Sequence, residues 1–178
     1  LTDDVLSAGR GTQISGNFYP QVDSVQGSVA LWWTPEFAYD EYSGAGDHYV
    51  WYVNSNYFLA YEYDNDQYNL TVGTQSITAS SNIVAGTTYN IVCRWDCNNT
   101  LDGTNYASIS INDSHTFGAT SQPTASAPDA TVYLGTNGTT GAASGIIEGL
   151  TIYRRVLRDD DRQRVGGPAG RPAPGAGP

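Results

Sequence analysis

Thr88-Tyr-Asn-Ile-Val-Cys-Arg-Trp95, which runs into Asp96-Cys-Asn-Asn99, is the stretch that decides the fold. In an extended chain successive side chains point to opposite faces. Ile91 and Trp95 then share one face, and Asn90 and Arg94 share the other. The Asn/Asp cluster that follows is turn chemistry. A strand with one apolar face needs a second layer to cover it.

The same pattern extends in both directions. Upstream lie Ser28-Val-Ala-Leu-Trp-Trp-Thr34, Asp47-His-Tyr-Val-Trp-Tyr-Val-Asn54, Tyr57-Phe-Leu-Ala-Tyr-Glu-Tyr63 and Tyr68-Asn-Leu-Thr-Val72. Asn54-Ser55-Asn56 reads as a tight hairpin turn. Downstream lie Tyr106-Ala-Ser-Ile-Ser-Ile111, Thr131-Val-Tyr-Leu134 and Ile146-Ile-Glu-Gly-Leu-Thr-Ile-Tyr153. Gly, Asn and Asp punctuate them, and no stretch before Arg158 has a helical period. The fold class predicted is all-β: a two-sheet antiparallel sandwich with extended N- and C-terminal arms. Residues 17–157 form the sandwich. Residues 1–16 form a polar N-terminal arm with one short strand near Gln13-Ile14. Residues 158–178 hold an acidic turn and a Pro/Gly-rich tail whose composition builds no core.

The chain has 178 residues, enough for one domain with a sizeable core. Thirteen Tyr and four Trp suit a pleated, half-buried surface. The net charge of −10 repels phosphate backbones, which argues against a nucleic-acid partner. It suits hard cations such as Ca²⁺, or simply a solvated acidic surface. All eight cationic side chains are Arg, and there is no Met. No apolar run is long enough to span a bilayer, so no membrane insertion is expected. A chain that starts at Leu1 reads as processed, and Asn-x-Ser/Thr at Asn69, Asn98, Asn112 and Asn137 gives candidate glycosylation sites. The expected location is extracellular, or the surface of a cell or virion.

Five segments carry a resemblance: Gly27-Ser-Val-Ala-Leu-Trp-Trp-Thr-Pro35, Val84-Ala-Gly-Thr-Thr-Tyr-Asn-Ile-Val-Cys-Arg-Trp-Asp96, Ser108-Ile-Ser-Ile-Asn-Asp113, Val132-Tyr-Leu-Gly-Thr-Asn137 and Gly145-Ile-Ile-Glu-Gly-Leu-Thr-Ile-Tyr-Arg-Arg-Val-Leu157. In this order they resemble laminin-G-like jelly-roll domains of the concanavalin A-like lectin/glucanase superfamily. The resemblance covers about residues 25–160 and implies two stacked antiparallel sheets. It also brings sugar binders, adhesion modules, surface proteins and hydrolases into view, because fold does not fix function.

The hydrolases of that superfamily place two Glu and one Asp on one strand. Here Glu62 and Asp64 are two apart and could share a face, but the second Glu is missing and Asp66 stands beside a turn. Asp47, His48 and His115 form no triad with a nucleophilic serine. The chain therefore reads as a non-enzyme. Related domains often carry Ca²⁺ at a sheet rim, and Asp96, Asn99 and Asp102 in one turn, with Glu148 on the closing strand, are the candidate ligands. Cys93 and Cys97 are either a small local disulfide or two buried thiols. Asp159-Asp160-Asp161 reads as an acidic patch at a helix start.

Two functions compete. The leading one is a structural subunit of an extracellular or virion-surface assembly such as a filament, joined to copies of itself through residues 1–16 and 166–178. The other is a secreted carbohydrate-binding or adhesion module, with or without Ca²⁺. Its site would be the Thr34–Gly46 loop and the aromatics Tyr39, Tyr42, Tyr49, Trp51 and Tyr57, which can stack on a sugar.

Overall fold

The computed structural model describes residues 6–8, 12–15, 22–41, 46–128, 131–139, 141–159 and 161. Among these residues twelve strands form two six-stranded sheets. Sheet A has the order β1 (Leu6–Ala8), β12 (Gly145–Tyr153), β3 (Gln26–Pro35), β8 (Tyr89–Asp96), β9 (Ala107–Ile111), β10 (Ser114–Gly118). Sheet B has the order β2 (Thr12–Ser15), β11 (Thr131–Leu134), β4 (His48–Asn54), β5 (Tyr57–Glu62), β6 (Gln67–Val72), β7 (Gln75–Ser80). All the strand pairings are antiparallel. The predicted all-β jelly-roll sandwich is what the chain forms.

The predicted strands fall where expected, within a residue or two. The structure adds β1, β7 and β10. β7 is mostly polar, with only Ile77 and Ala79 buried, so its alternation was faint. β10 follows Asn112 and Asp113, both at positive φ (47° and 67°). Positive φ at both central residues is the hairpin turn whose twist matches the strands it joins.

The described part of residues 1–16 is no free arm. β1 pairs with β12, and β2, the expected strand near Gln13-Ile14, pairs with β11. The physical reason is the unpaired edge: β11 and β12 each offer a row of backbone groups, and the chain's own start satisfies them. The tail, 166–178, lies outside the described residues.

The core is aromatic. Trp33, Trp51, Trp95, Tyr57, Tyr61 and Tyr68 are among the largest fully buried side chains. Trp33 lies 6.0 Å from Phe37, 6.3 Å from Tyr61 and 6.1 Å from Tyr68, ring centre to ring centre. The polar ends of these rings hold loops. Tyr57 Oη donates to Ser24 O at 2.9 Å, Tyr61 Oη to Ser81 O at 2.9 Å, and Trp95 Nε1 to Asp23 O at 3.1 Å.

β8 is buried on both faces. Its inner face is the apolar set predicted from Ile91 and Trp95. Its outer face is covered by the chain that leaves β12. Leu157 is fully buried against Ala30 and Val92. Ser28 Oγ accepts from Leu157 N at 2.9 Å. Arg94 donates to Ser108 Oγ at 3.0 Å, Leu157 O at 3.0 Å and Asp159 Oδ1 at 2.7 Å. A buried guanidinium is costly without partners, and these offset that cost. The acidic run opens a helical turn at Asp159 and Asp161, as read from the sequence, and the structure adds specific partners. Asp159 pairs with Arg94 and Asp161 with Arg155 at 2.8 Å, so specific ion pairs accompany the helix start. Asp160 lies outside the described residues.

Gly27 faces Trp95 across the β3–β8 pair. A Cβ there would stand 2.4 Å from Trp95 Cζ2, so the indole occupies the space a side chain would take. Gly27→Ala is expected to destabilise the fold by about 2 kcal/mol through overpacking. Urea denaturation checks this: the midpoint should fall while the slope stays constant.

Candidate functional site

The outward face of sheet B is organised in three rows that cross the strands. The first runs Tyr133, Tyr52, Phe58, Thr71, Ser76, each paired with the next across the ladder. The second runs Tyr49, Ala60, Asn69, Thr78. The third runs Glu62, Gln67, Ser80.

The first row begins as a platform of half-buried rings. Tyr52 lies 6.2 Å from Tyr133 and 6.1 Å from Phe58, stacked with the latter at 28°. Tyr49 joins from the second row, 5.3 Å from Tyr52 and 5.4 Å from Phe58, edge to face in both cases. Adjacent strands are about 4.8 Å apart, so Tyr133 to Phe58 spans about 10 Å.

A bulge in β4 puts these rings together. The register shifts between Tyr49 and Trp51. Strict alternation would place Tyr49 and Trp51 on one face. The extra residue re-aims the strand, so Tyr49 and Tyr52 both face outward while Val50, Trp51 and Val53 are buried.

Polar groups border the rings. Glu62 Oε1 accepts from Asn69 Nδ2 at 2.5 Å, and Glu62 Oε2 from Gln67 Nε2 at 2.5 Å. Thr71 and Ser76 share a hydroxyl–hydroxyl bond of 2.7 Å. The Tyr49 side chain bonds with those of Asp47 and Asn137. Burial, and then the Glu62 charge, push the Asp47 carboxyl above the ordinary aspartate range. Two clefts of about 360 and 410 Å³ lie elsewhere, and no ring of the platform lines either one.

The structure redistributes the aromatic candidates. Tyr49 is on the platform. Trp51 and Tyr57 are core residues, 1% and 0% exposed, which removes them as ligand contacts. Tyr39 packs partly against the core, and its N–H is held by Ile83 O at 3.0 Å. Tyr42 lies outside the described residues, as do 43–45 of the expected loop. Tyr52, Phe58, Tyr133 and Asn137 were missed. The bulge hid Tyr52, and cross-strand pairing, which no local pattern reveals, assembles the rest.

The other candidates separate as well. Asp96 Oδ1 accepts from Asn98 N (2.8 Å) and Asn99 N (3.0 Å), and Asp102 Oδ1 from Thr104 N (3.0 Å) and Asn105 N (2.6 Å). Each carboxylate closes its own turn. Glu148 stands in β12, two strands from β8. Among the described residues no group of three or more His, Cys, Asp or Glu side chains is placed to hold a metal. Glu62 ends β5, and the chain then enters a 3₁₀ turn, Tyr63–Asn65, so Asp64 does not continue Glu62's strand face. Asp66, at φ 49°, caps that turn. His48 is a buried sheet residue whose Nδ1 is 2.7 Å from Ala142 O, and His115 stands on the other sheet in β10.

Of the sequon asparagines, Asn98 and Asn112 are exposed in turns, Asn137 is half-buried, and Asn69 lies within β6 with its amide on Glu62. Cys93 and Cys97 are both free and buried, so the local disulfide does not form. β8 stays extended through Asp96, which sets the two Cα atoms about 13 Å apart, beyond bridging distance.

No family model matches the chain, and no curated protein matches it in sequence. Solved structures do match in fold. Domain 4 of AbnA, a GH43 extracellular arabinanase from Geobacillus stearothermophilus solved with arabinotriose, superposes with a TM-score of 0.61 at 17% identity. That match covers 93% of this chain and 76% of the other. The CBM40 of the Ruminococcus gnavus IT-sialidase gives 0.59 at 16% identity, covering 93% and 97%. A heptameric SAP-like pentraxin from Limulus polyphemus gives 0.51 at 14%, covering 80% and 70%. The likeness is one of fold: these structures share the two-sheet antiparallel architecture that the sequence resemblance implied.

Two predictions concern the thiols. Burial raises Cys93 to about 12 and Cys97 to about 11. Iodoacetamide at neutral pH should label neither in the native protein and both after unfolding without reductant; a disulfide would leave both unlabelled throughout. The unfolded chain loses thiol protons from about pH 9, whereas the folded chain keeps them. Stability is therefore fully present below about pH 9 and falls as pH rises through 11–12. A urea midpoint that stays flat across that window would contradict the assignment.

Proposed function

We propose that this chain is a non-catalytic carbohydrate-binding module and that the outward face of sheet B is its binding surface. The observation that carries the reading is the outward cluster of Tyr49, Tyr52, Phe58 and Tyr133, bordered by Glu62, Gln67 and Asn69. A sugar ring presents C–H groups on its faces and hydroxyls on its rim. Aromatic faces match the first, and amides, carboxylates and hydroxyls match the second. The platform is a sheet face, not an enclosed pocket, which favours an extended oligosaccharide over a small compact ligand. Its span of about 10 Å suits two linked sugar rings.

The fold comparisons add support of a coarser kind. Two of the similar structures are domain 4 of an arabinanase solved with arabinotriose and a CBM40. The assembly reading has less behind it, since the described strands of residues 1–16 pair within their own chain. Secretion belongs to the same proposal, and the exposed sequons at Asn98 and Asn112 are consistent with it.

Affinity electrophoresis in gels containing soluble polysaccharides tests the proposal, followed by calorimetric titration with oligosaccharides of the retarding polymer. Tyr52→Ala and Tyr133→Ala should each weaken binding at least about tenfold, the equivalent of about 1.4 kcal/mol, without a large change in Tm. Full retention of binding in both variants would overturn the placement. No retardation on any polysaccharide would overturn the function.

A further inference from the structure

Within that binding face, charge is one-sided. No Arg or Lys occurs between Arg10 and Arg94, nor in Thr131–Leu134, so none of the six strands of sheet B carries a cationic side chain. The face does carry carboxylates. Glu62 lies in its third row, Asp47 bonds to platform residue Tyr49, and Asp64 is exposed in the turn that leaves β5. The Arg side chains that the structure describes cluster on the opposite sheet and its exit. Arg94 is on the outer side of β8, and Arg154, Arg155 and Arg158 follow β12. The charge separation therefore coincides with the two faces of the sandwich.

From this we infer that the ligand is an uncharged oligosaccharide and that the face rejects glycans bearing carboxylate or sulfate groups. The inference rests on the carbohydrate-binding reading and narrows it. An anionic sugar is ordinarily held by guanidinium or ammonium groups in fork or point-charge geometry. Sheet B has neither, and its carboxylates repel such a ligand. One like charge at about 8 Å costs roughly twofold in affinity in bulk water, and more at the lower effective dielectric of a protein surface. Two or three of them bring the penalty to about tenfold. Neutral hydroxyls, by contrast, can donate to Glu62 and Asp47, which accept but do not donate when ionised. The acidic border thus assists a neutral sugar and excludes an acidic one, which is specificity by an introduced repulsion.

The experiment compares a matched pair: a neutral oligosaccharide that the protein retains, and the same oligosaccharide oxidised to the uronate at C6. Calorimetry at low ionic strength should give at least about tenfold weaker binding of the uronate, with the gap narrowing as salt is added. Asp64→Arg, at an exposed turn position, should narrow the gap by several-fold at low salt while Tm stays unchanged. Equal binding of the two sugars, or tighter binding of the uronate, would overturn the inference and leave the carbohydrate-binding reading intact. Failure of every neutral sugar to bind would overturn both.

Discussion

The fold depends on aromatic side chains that are apolar at one end and polar at the other. Trp33 and Trp95 descend from sheet A, and Tyr57, Tyr61 and Tyr68 rise from sheet B to meet them. Each ring buries a large apolar area, which drives the two sheets together. Three of the polar ends reach out to Ser24, Ser81 and Asp23. The same residues that fill the sandwich thus fix the loops at its margins, and desolvation and hydrogen bonding act through one set of side chains. Substituting Tyr57, Tyr61 or Trp95 loosens core and loop together.

The two outer faces are put to different uses. Sheet A turns its outer face to the chain's own exit, where Arg94, Ser28 and Leu157 lock the segment after β12 in place. Sheet B keeps a half-buried aromatic cluster outward, with a border of amides and carboxylates held by one another. Glu62 is oriented by Asn69 and Gln67, and Tyr49 by Asp47 and Asn137. A surface whose polar groups are already held in place loses little entropy when a ligand arrives.

The fold was legible because its signal is local. The alternation of Ile91 and Trp95 against Asn90 and Arg94, the Asn54–Asn56 turn and the Gly-rich breaks are each readable within a few residues. β7 and β10 were not, since their burial comes from neighbours and their own apolar content is slight. The site was legible only in its raw material. Tyr49 was found, whereas Trp51 and Tyr57 were assigned outward when burial in the core claims them. Tyr133 reaches the platform from a strand some eighty residues along the chain, and no sequence window contains that adjacency. The acidic turn residues Asp96 and Asp102 misled in the opposite way, because the pattern that suggests a cation site is equally the pattern of a carboxylate capping a turn.

The bulge between Tyr49 and Trp51, the first of two register shifts in β4, couples the interior and the aromatic face of sheet B. Straightening the strand with every residue kept would turn Trp51 to solvent and Tyr52 to the core, whereas loss of the one unpaired residue, Val50, would restore strict alternation and leave both where they are. Point substitutions on the platform change its chemistry ring by ring and leave the core alone. A one-residue deletion in a regularly paired stretch exchanges the two populations of side chains beyond it at a stroke. The aromatic face of this sandwich can therefore drift gradually by substitution, and the bulge is a point at which a change of length leaves its rings in place.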